Sequence, residues 1–357
     1  MKLDDRRALE ALDRHATHRV LAEFPSQCRR ALDLASTPPA PATRPRLVIV
    51  AGMGGSASGG DMLAACAAET LDVLILVHRG YGLPAAARHD TLVLAVSYSG
   101  DTAEVLSATE VALARGVPVV AITAGGALGA LADRRGLPRV AVPAGLMPRM
   151  ALGYLVFPAL SILAACGAPV VTSADVDEAL DVLTAQAKDL GLDRPSPQNE
   201  AKRLALAIGE RLPAVYGGPL TGAAAYRWKT DLEENAKTLA VAGALPEMNH
   251  NEIEAWRGDE ARDRHVVLLR EEGEAPEIAG RFALLREMLQ AAAVGVDETW
   301  ARGRGRLARL LSLVYAGQWT SYYVAMLRGI DPWPVPILDE LKRRLAAGRT
   351  DGARRSP

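Results

Sequence analysis

The chain has 357 residues, of which 49% are hydrophobic and 4% aromatic, and its formal net charge is −1. Domains of about 100–200 residues make two lobes, or one large domain, the expectation, and the apolar content suffices for sizeable cores. The near-zero charge excludes a broad electrostatic footprint for nucleic acid or an anionic membrane surface, and the basic stretch from Arg343-Arg344 to Arg355 reads as a solvated end.

The N-terminus, MKLDDRRALEALDRH, is charged throughout and has no signal-peptide core. Over residues 4–34, Leu9, Leu12, Val20, Leu21, Phe24 and Leu32 recur at roughly helical spacing, which predicts one or two amphipathic helices against the body. The Pro-rich stretch 36–45 (STPPAPATRP) then breaks any helix, because proline lacks the N–H and fixes φ. Short continuous apolar runs follow at 47–51, 73–77, 92–96, 119–122 and 140–142. Strands buried on both faces read this way. Helical stretches such as 60–70 and 102–115 lie between them, and the alternation predicts a parallel sheet. Residues 150–190 read as two helices around Gly167-Ala168-Pro169, with a linker near 192–197. The apolar run 155–165 is interrupted by Pro158 and too short to span a bilayer. A second alternation follows: strand 214–216, helix 221–240, strand 265–270, helix 278–292, strand 294–296, helix 307–327 and a closing helix 337–345. The expected fold class is therefore α/β, with two doubly wound lobes and mainly parallel sheets. Residues 1–45 form the N-terminal helical segment and connector, 46–195 the first lobe with its connecting helices, and 196–357 the second lobe. Each lobe opens with a strand, a small-residue turn and a helix, a weak internal repeat.

Residues 52–61 read GMGGSASGGD, directly after the first predicted strand and before a helix. Glycines let backbone N–H groups approach an anion, and a helix N-terminus adds a positive dipole. The strict dinucleotide pattern G-x-G-x-x-G ends here at Ala57, although the looser form with a final alanine survives. The second strand ends in Val77-His78-Arg79 instead of a ribose-binding acid. No Gly-Lys-Ser/Thr follows, which excludes a P-loop. The third strand ends in Ser97-Tyr98-Ser99-Gly100-Asp101-Thr102, at the carboxyl end where open parallel sheets bind ligands. Ser99 and Thr102 could each donate to a phosphate oxygen or cap the next helix. Capping accounts for one hydroxyl and not for all three. Neither loop contains lysine, so a sugar phosphate suits better than a triphosphate.

Five motifs in order, GMGGSASGGD (52–61), SYSGDTAEVL (97–106), PRMALGYL (148–155), ENAK (234–237) and PEMNHNE (246–252), resemble those of the SIS (sugar isomerase) proteins. More narrowly, residues 47–345 resemble the bifunctional phosphoglucose/phosphomannose isomerases. The resemblance implies two SIS-type lobes, and a substrate phosphate held by Gly54, Gly55, Ser56, Ser97, Ser99 and Thr102. Aldose–ketose isomerisation needs an acid/base to open the ring, a base to move a proton between C2 and C1, and a cation or donor for the enediolate oxygen.

Taken alone, Glu234 reads as a surface carboxylate beside an i,i+4 pair of Glu233 with Lys237, His250 as a surface-loop histidine, and Arg149 as a helix-flanking arginine. The resemblance makes Glu234 the base, which should then be largely desolvated, and Arg149 the partner of the enediolate. It makes His250 the ring-opening group, entering from the other subunit of a homodimer with shared active sites. It also brings Lys342 of the closing helix to the site for ring opening, against an exposed basic run Lys342-Arg343-Arg344. Trp333 stands where relatives often have threonine, which bears on the mannose activity. The expected partner is a small-molecule sugar phosphate.

No cofactor and no metal is expected, since no His/Cys/carboxylate cluster has ligand spacing. Cys28, Cys66 and Cys166 are scattered, so a reducing, cytoplasmic compartment fits better than a disulfide framework. Two rivals remain. A non-enzymatic SIS protein that binds a sugar phosphate and regulates a partner would dispense with Glu234, His250 and Arg149. An NAD-dependent oxidoreductase is disfavoured by the missing acid.

Overall fold

Three short helices, α1 (Arg6–Leu12), α2 (Thr17–Ala22) and α3 (Phe24–Leu34), stand where one or two were expected. The breaks are chemical. Asp5 caps α1 by accepting from the Ala8 N–H, and the buried Asp13 carboxylate accepts from the N–H groups of Thr17 and His18 at 2.8 and 2.9 Å. Pro25 stands in the first turn of α3, where its missing N–H costs nothing. The computed structural model describes residues 2–41 and 43–353, with backbone only for 346–353. Arg343 and Arg344 are exposed as expected, and the end of the basic tail at Arg355 lies outside the described residues.

The first sheet contains β1 (Leu47–Ala51), β2 (Leu74–His78), β3 (Thr91–Val96), β4 (Val119–Thr123) and β5 (Arg139–Ala141), all parallel, in the order β2-β1-β3-β4-β5. Helices α4 (Gly55–Ala67), α5 (Ala103–Ala114) and α6 (Gly126–Arg135) connect them. β3 and β4 are buried along their whole length, which is why they read as unbroken apolar runs. β2 departs from that expectation. It is an edge strand, and Leu74 and Leu76 on one face are exposed. The chain leaves β1 toward one edge and returns to β3 on the other side. The crevice outside the carboxyl ends of β1 and β3 is thus the switch point of the sheet.

Helices α7 (Leu152–Ala165), α8 (Ser173–Leu190) and the unanticipated α9 (Glu200–Ile208) lead to the second sheet. This sheet is also parallel, in the order β7-β6-β8-β9, with β6 (Leu212–Gly217), β7 (Val241–Ala244), β8 (Arg264–Arg270) and β9 (Gly295–Trp300). Helices α10 (Gly222–Asn235), α11 (Pro276–Ala291), α12 (Arg306–Leu327) and α13 (Pro336–Ala353) complete it. The expected helix 221–240 is two elements. It stops at Asn235, and Val241–Ala244 adds a strand beside β6. The good helix formers at 239–242 hid that boundary.

One apolar cluster runs from α3 and the first sheet through α7 and α8 to α10 and α12. Helix α12 is buried on nearly every face, as a helix between two layers must be. It meets α10 so closely that a Cβ on Gly317 would lie 2.4 Å from the Trp228 ring, whose Nε1 donates to the Leu313 carbonyl. Gln27 of α3 donates to the Met150 carbonyl and accepts from the Gly153 N–H, pinning the turn before α7. Among the described residues, no helix is long and apolar enough to cross a membrane.

Candidate active site

The loop after β1 lies at the switch point. Gly54 sits at φ +51, and open space surrounds the position a Cβ would take. Gly55 packs the loop onto the 3-10 turn Pro148–Met150: a Cβ there would lie 3.2 Å from Arg149 Cα, the Pro148 carbonyl and Arg227 Nη1. The cradle and Arg149 are therefore neighbours. Ser56 is buried in the first turn of α4.

After β3, the Ser97 and Thr102 hydroxyls hydrogen-bond at 2.8 Å, and Ser97 Oγ accepts from the Gly100 N–H. Thr102 occupies the N-cap position of α5 yet makes no side-chain cap bond, which removes one alternative that composition left open. Ser99 is exposed and accepts only a long bond, 3.3 Å, from the Asp101 N–H. It is the hydroxyl best placed to donate outward. Ser99→Ala is expected to raise KM by about 10–100-fold with kcat little changed, as loss of one hydrogen bond to a charged group does. Steady-state kinetics check this, and an unchanged KM with a lost kcat would count against a phosphate role.

The corresponding turn of the second lobe is closed on itself. Thr221 Oγ1 accepts from the Gly218 N–H and donates to the Leu269 carbonyl, and a Cβ on Gly217 would lie 2.4 Å from Thr221. Arg270 near its mouth is engaged by Glu274 and Glu298. The repeat thus presents an open cradle only in the first lobe.

Arg149 is 1% exposed and almost fully engaged. Its Nε donates to Asn235 Oδ1 at 2.7 Å, and Nη2 donates to the carbonyls of Pro332 and Trp333, both at 2.8 Å. Nη1 lies 3.4 Å from Glu234 Oε2. Burial lowers its pKa, opposed by the Glu234 and Asp231 carboxylates. Its carbonyl accepts from Arg227, which pairs with Asp231 deep in α10. Burial pushes Asp231 up to about 6, against the pull of Arg227.

Glu234 is paired with Arg149 and its side chain is 26% exposed, so it is mostly but not wholly withdrawn from solvent within one chain. It lies in the last turn of α10, at the mouth of the site. The expected Glu233–Lys237 pair is also absent. Glu233 pairs with Lys229 at 2.7 Å, because α10 ends before Lys237, which turns back toward Glu234. His250 is exposed at the end of the 3-10 turn Glu247–His250, whose Met248 is buried, and is not among the partners of Arg149. Lys342 is exposed on α13.

Asn235, Asp231, Arg227 and the carbonyls of Pro332 and Trp333 escaped the sequence reading. One signal was available: Arg227, Asp231 and Asn235 form a polar stripe at i, i+4, i+8 in a helix that otherwise buries Ala224, Trp228 and Leu232. Among the described residues, no group of three or more His, Cys, Asp or Glu is gathered as a metal site.

Residues 197–345 match the family described as Bacterial phospho-glucose isomerase C-terminal SIS domain, and residues 43–135 match the SIS domain. The chain is 36% identical over 305 residues to the Bifunctional phosphoglucose/phosphomannose isomerase of Caldicellulosiruptor bescii, covering 84% of this chain and 89% of the relative. It is 33% identical over 302 residues to the protein of the same description from Aquifex aeolicus, covering 84% and 90%. The crystal structure of a glucose-6-phosphate isomerase like protein from Thermus thermophilus superposes with a TM-score of 0.60 at 24% identity, covering 96% of this chain and 99% of that one, a likeness of fold.

Proposed function

The chain belongs to the bifunctional phosphoglucose/phosphomannose isomerase family, and on that premise we propose how its own side chains carry the reaction. The protein is a sugar-phosphate isomerase that interconverts glucose 6-phosphate, mannose 6-phosphate or both with fructose 6-phosphate through an enediolate. The observation that carries the residue assignment is the Arg149–Glu234 pair at 3.4 Å, on a turn packed against the Gly54–Gly55 loop.

The substrate phosphate sits between that loop and the hydroxyls of Ser97, Ser99 and Thr102. Glu234 takes the proton from C2 and returns it to C1, the O2 hydroxyl proton passes to O1, and the Arg149 guanidinium balances charge on the enediolate oxygen. Glucose and mannose forms differ at C2 and share one enediolate. Trp333 offers Arg149 its backbone carbonyl, which any residue would supply, while its ring stacks on His15. Coupled assays with both hexose 6-phosphates should show isomerisation that resists chelator. Sensitivity to chelator would mean that Arg149 does not suffice for the oxyanion, and inertness toward both sugars would leave the binding-protein reading.

His250 opens the ring in a neighbouring subunit. Two features support a homodimer with shared sites: the exposed position of His250, and the apolar side of α13. Ile337 is 84% exposed, Leu341 53% and Leu345 52%, a stripe at helical spacing that suits a second copy of the chain. Lys342 lies exposed on the same helix. Mixing a Glu234→Gln chain with a His250→Ala chain should restore about half of the wild-type rate per mixed dimer, since one of the two sites is then intact. No recovery in verified mixed dimers would sink the shared site.

A further inference from the structure

We propose that Lys237 is a positioning residue of this site, an ammonium that ties the end of α10 bearing Glu234 to the loop whose carbonyls hold Arg149. The proposal rests on the roles assigned above to those two residues. Helix α10 ends at Asn235 with Ala236 as its cap, and Lys237 follows at φ +53. That left-handed position after a helix is ordinarily filled by glycine, since a Cβ is strained there. Lys237 Nζ donates to the Glu234 carbonyl and, at 3.1 Å, to the Pro332 carbonyl. The same Pro332 oxygen accepts from Arg149 Nη2 at 2.8 Å. One oxygen therefore joins the lysine to the guanidinium, and the lysine joins both to the turn bearing Glu234.

The loop is itself fixed from the N-terminal helices. The Trp333 N–H donates to Asp331 Oδ1 at 3.1 Å, and His15 Nδ1 lies 3.2 Å from Asp331 Oδ2. The His15 ring stacks on Trp333 with centroids 5.7 Å apart and planes 10° from parallel. A shift of Lys237 would thus be felt at Glu234 and Arg149 together, while the loop stays anchored on its far side.

The bland alternative is that Lys237 merely caps a helix carbonyl, which would stabilise the fold. The charges argue otherwise. Those facing Lys237 are Arg149, Glu234 and Asp331, with His15 beyond the last. Burial foremost, then Arg149, lowers its pKa to about 8, with Glu234 and Asp331 opposing. A lysine whose folded pKa lies below the unfolded value of about 10.4 makes its charged form a cost at neutral pH, and that cost disappears as pH rises from about 8 toward the unfolded value. A cation on an exposed residue at a strained backbone position, its ammonium held between two groups assigned to catalysis, is a feature kept for activity and against stability.

Four variants test this, with kcat, KM and melting temperature measured on each. Lys237→Gly should melt at or above wild type at pH 7, yet lose about 10–100-fold in kcat with KM little changed, as small misplacements of catalytic groups do. Lys237→Met should lose a similar factor, and Lys237→Arg should recover most of it. The wild-type kcat should fall as pH rises through about 8, and the arginine variant should lack that limb because a guanidinium does not titrate there. Lys237→Met placed in Glu234→Gln should add clearly less than its own full loss, because the part that acts through Glu234 is already gone and only the part through Arg149 remains.

A lower melting temperature in the glycine variant, or full kcat in the methionine and glycine variants, reduces Lys237 to a helix end and overturns the proposal. A multiplied loss in the double variant overturns it as well. Full activity in Glu234→Gln alone removes the base assignment instead. A kcat loss in Lys237→Met in that case marks the lysine as acting on substrate and overturns the positioning role.

Discussion

Glu234→Gln is expected to lower kcat by about 10²–10⁴, the range general acid–base catalysis supplies, while KM changes little. The amide keeps the size of the side chain, and its oxygen can still accept from Arg149 Nη1, now 3.4 Å away. What it loses is basicity. Glu233→Gln is the internal control one residue earlier on the same helix. Its pair with Lys229 is about as exposed as Glu234 itself, with both side chains 29% accessible, so its removal should cost only roughly a few tenths of a kcal/mol. If the two substitutions behave alike, Glu234 is an ordinary helix carboxylate and the proposed proton transfer is wrong. The exposure of Glu234 sharpens the test. A base left partly in water within one chain should depend on closure of the site by substrate or by a neighbouring subunit. The Glu234 effect should then be largest in kcat measured on the dimer.

What the sequence disclosed follows the range over which each feature is determined. β3 and β4 are buried on both faces, and their apolar runs identify them without outside help. The loops proposed to hold the phosphate stood out in the sequence for the same reason, since a glycine loop or a row of hydroxyls at a strand end is a local pattern. β7 was not legible. Val241-Ala242-Gly243-Ala244 becomes a strand only because β6 lies beside it and because Lys237 leaves the helix at positive φ. The role of Glu234 could be assigned only through the ENAK likeness, for its charge partner lies 85 residues away in sequence. Of Asn235, Pro332 and Trp333, only Asn235 carries a local signal, the polar stripe it shares with Arg227 and Asp231. Two of these three contribute backbone carbonyls, which composition cannot mark. The expectation that Glu234 is largely desolvated is met only in part within one chain: in the last turn of its helix the side chain keeps some contact with solvent.

Arg149→Lys is the second large effect expected, a fall in kcat of about 10²–10³, the usual cost of removing one preorganised oxyanion donor. The charge is kept, so a purely electrostatic role would survive the change. The geometry does not survive. The guanidinium spreads its donors in a plane, with Nε toward Asn235, Nη2 toward the two loop carbonyls and Nη1 toward Glu234. An ammonium on a shorter fork cannot reach all four, and a buried Asn235 oxygen or a loop carbonyl is left without a donor. Each buried acceptor so orphaned costs about 1–3 kcal/mol, so the variant should also melt lower. Asn235→Ala separates the two consequences. It removes one holder of Arg149 while leaving the cation, its two carbonyl partners and Glu234 in place. Its Ser321 partner can still donate to the Gln318 carbonyl. That variant should fold, bind substrate with a KM near wild type and lose about 10-fold or more in kcat, because the guanidinium is free to turn in its plane. Circular dichroism melts alongside steady-state kinetics on both variants decide the matter. If Arg149→Lys keeps the wild-type kcat, or if Asn235→Ala changes melting alone, the buried arginine is a structural tie between the lobes and another group balances the enediolate.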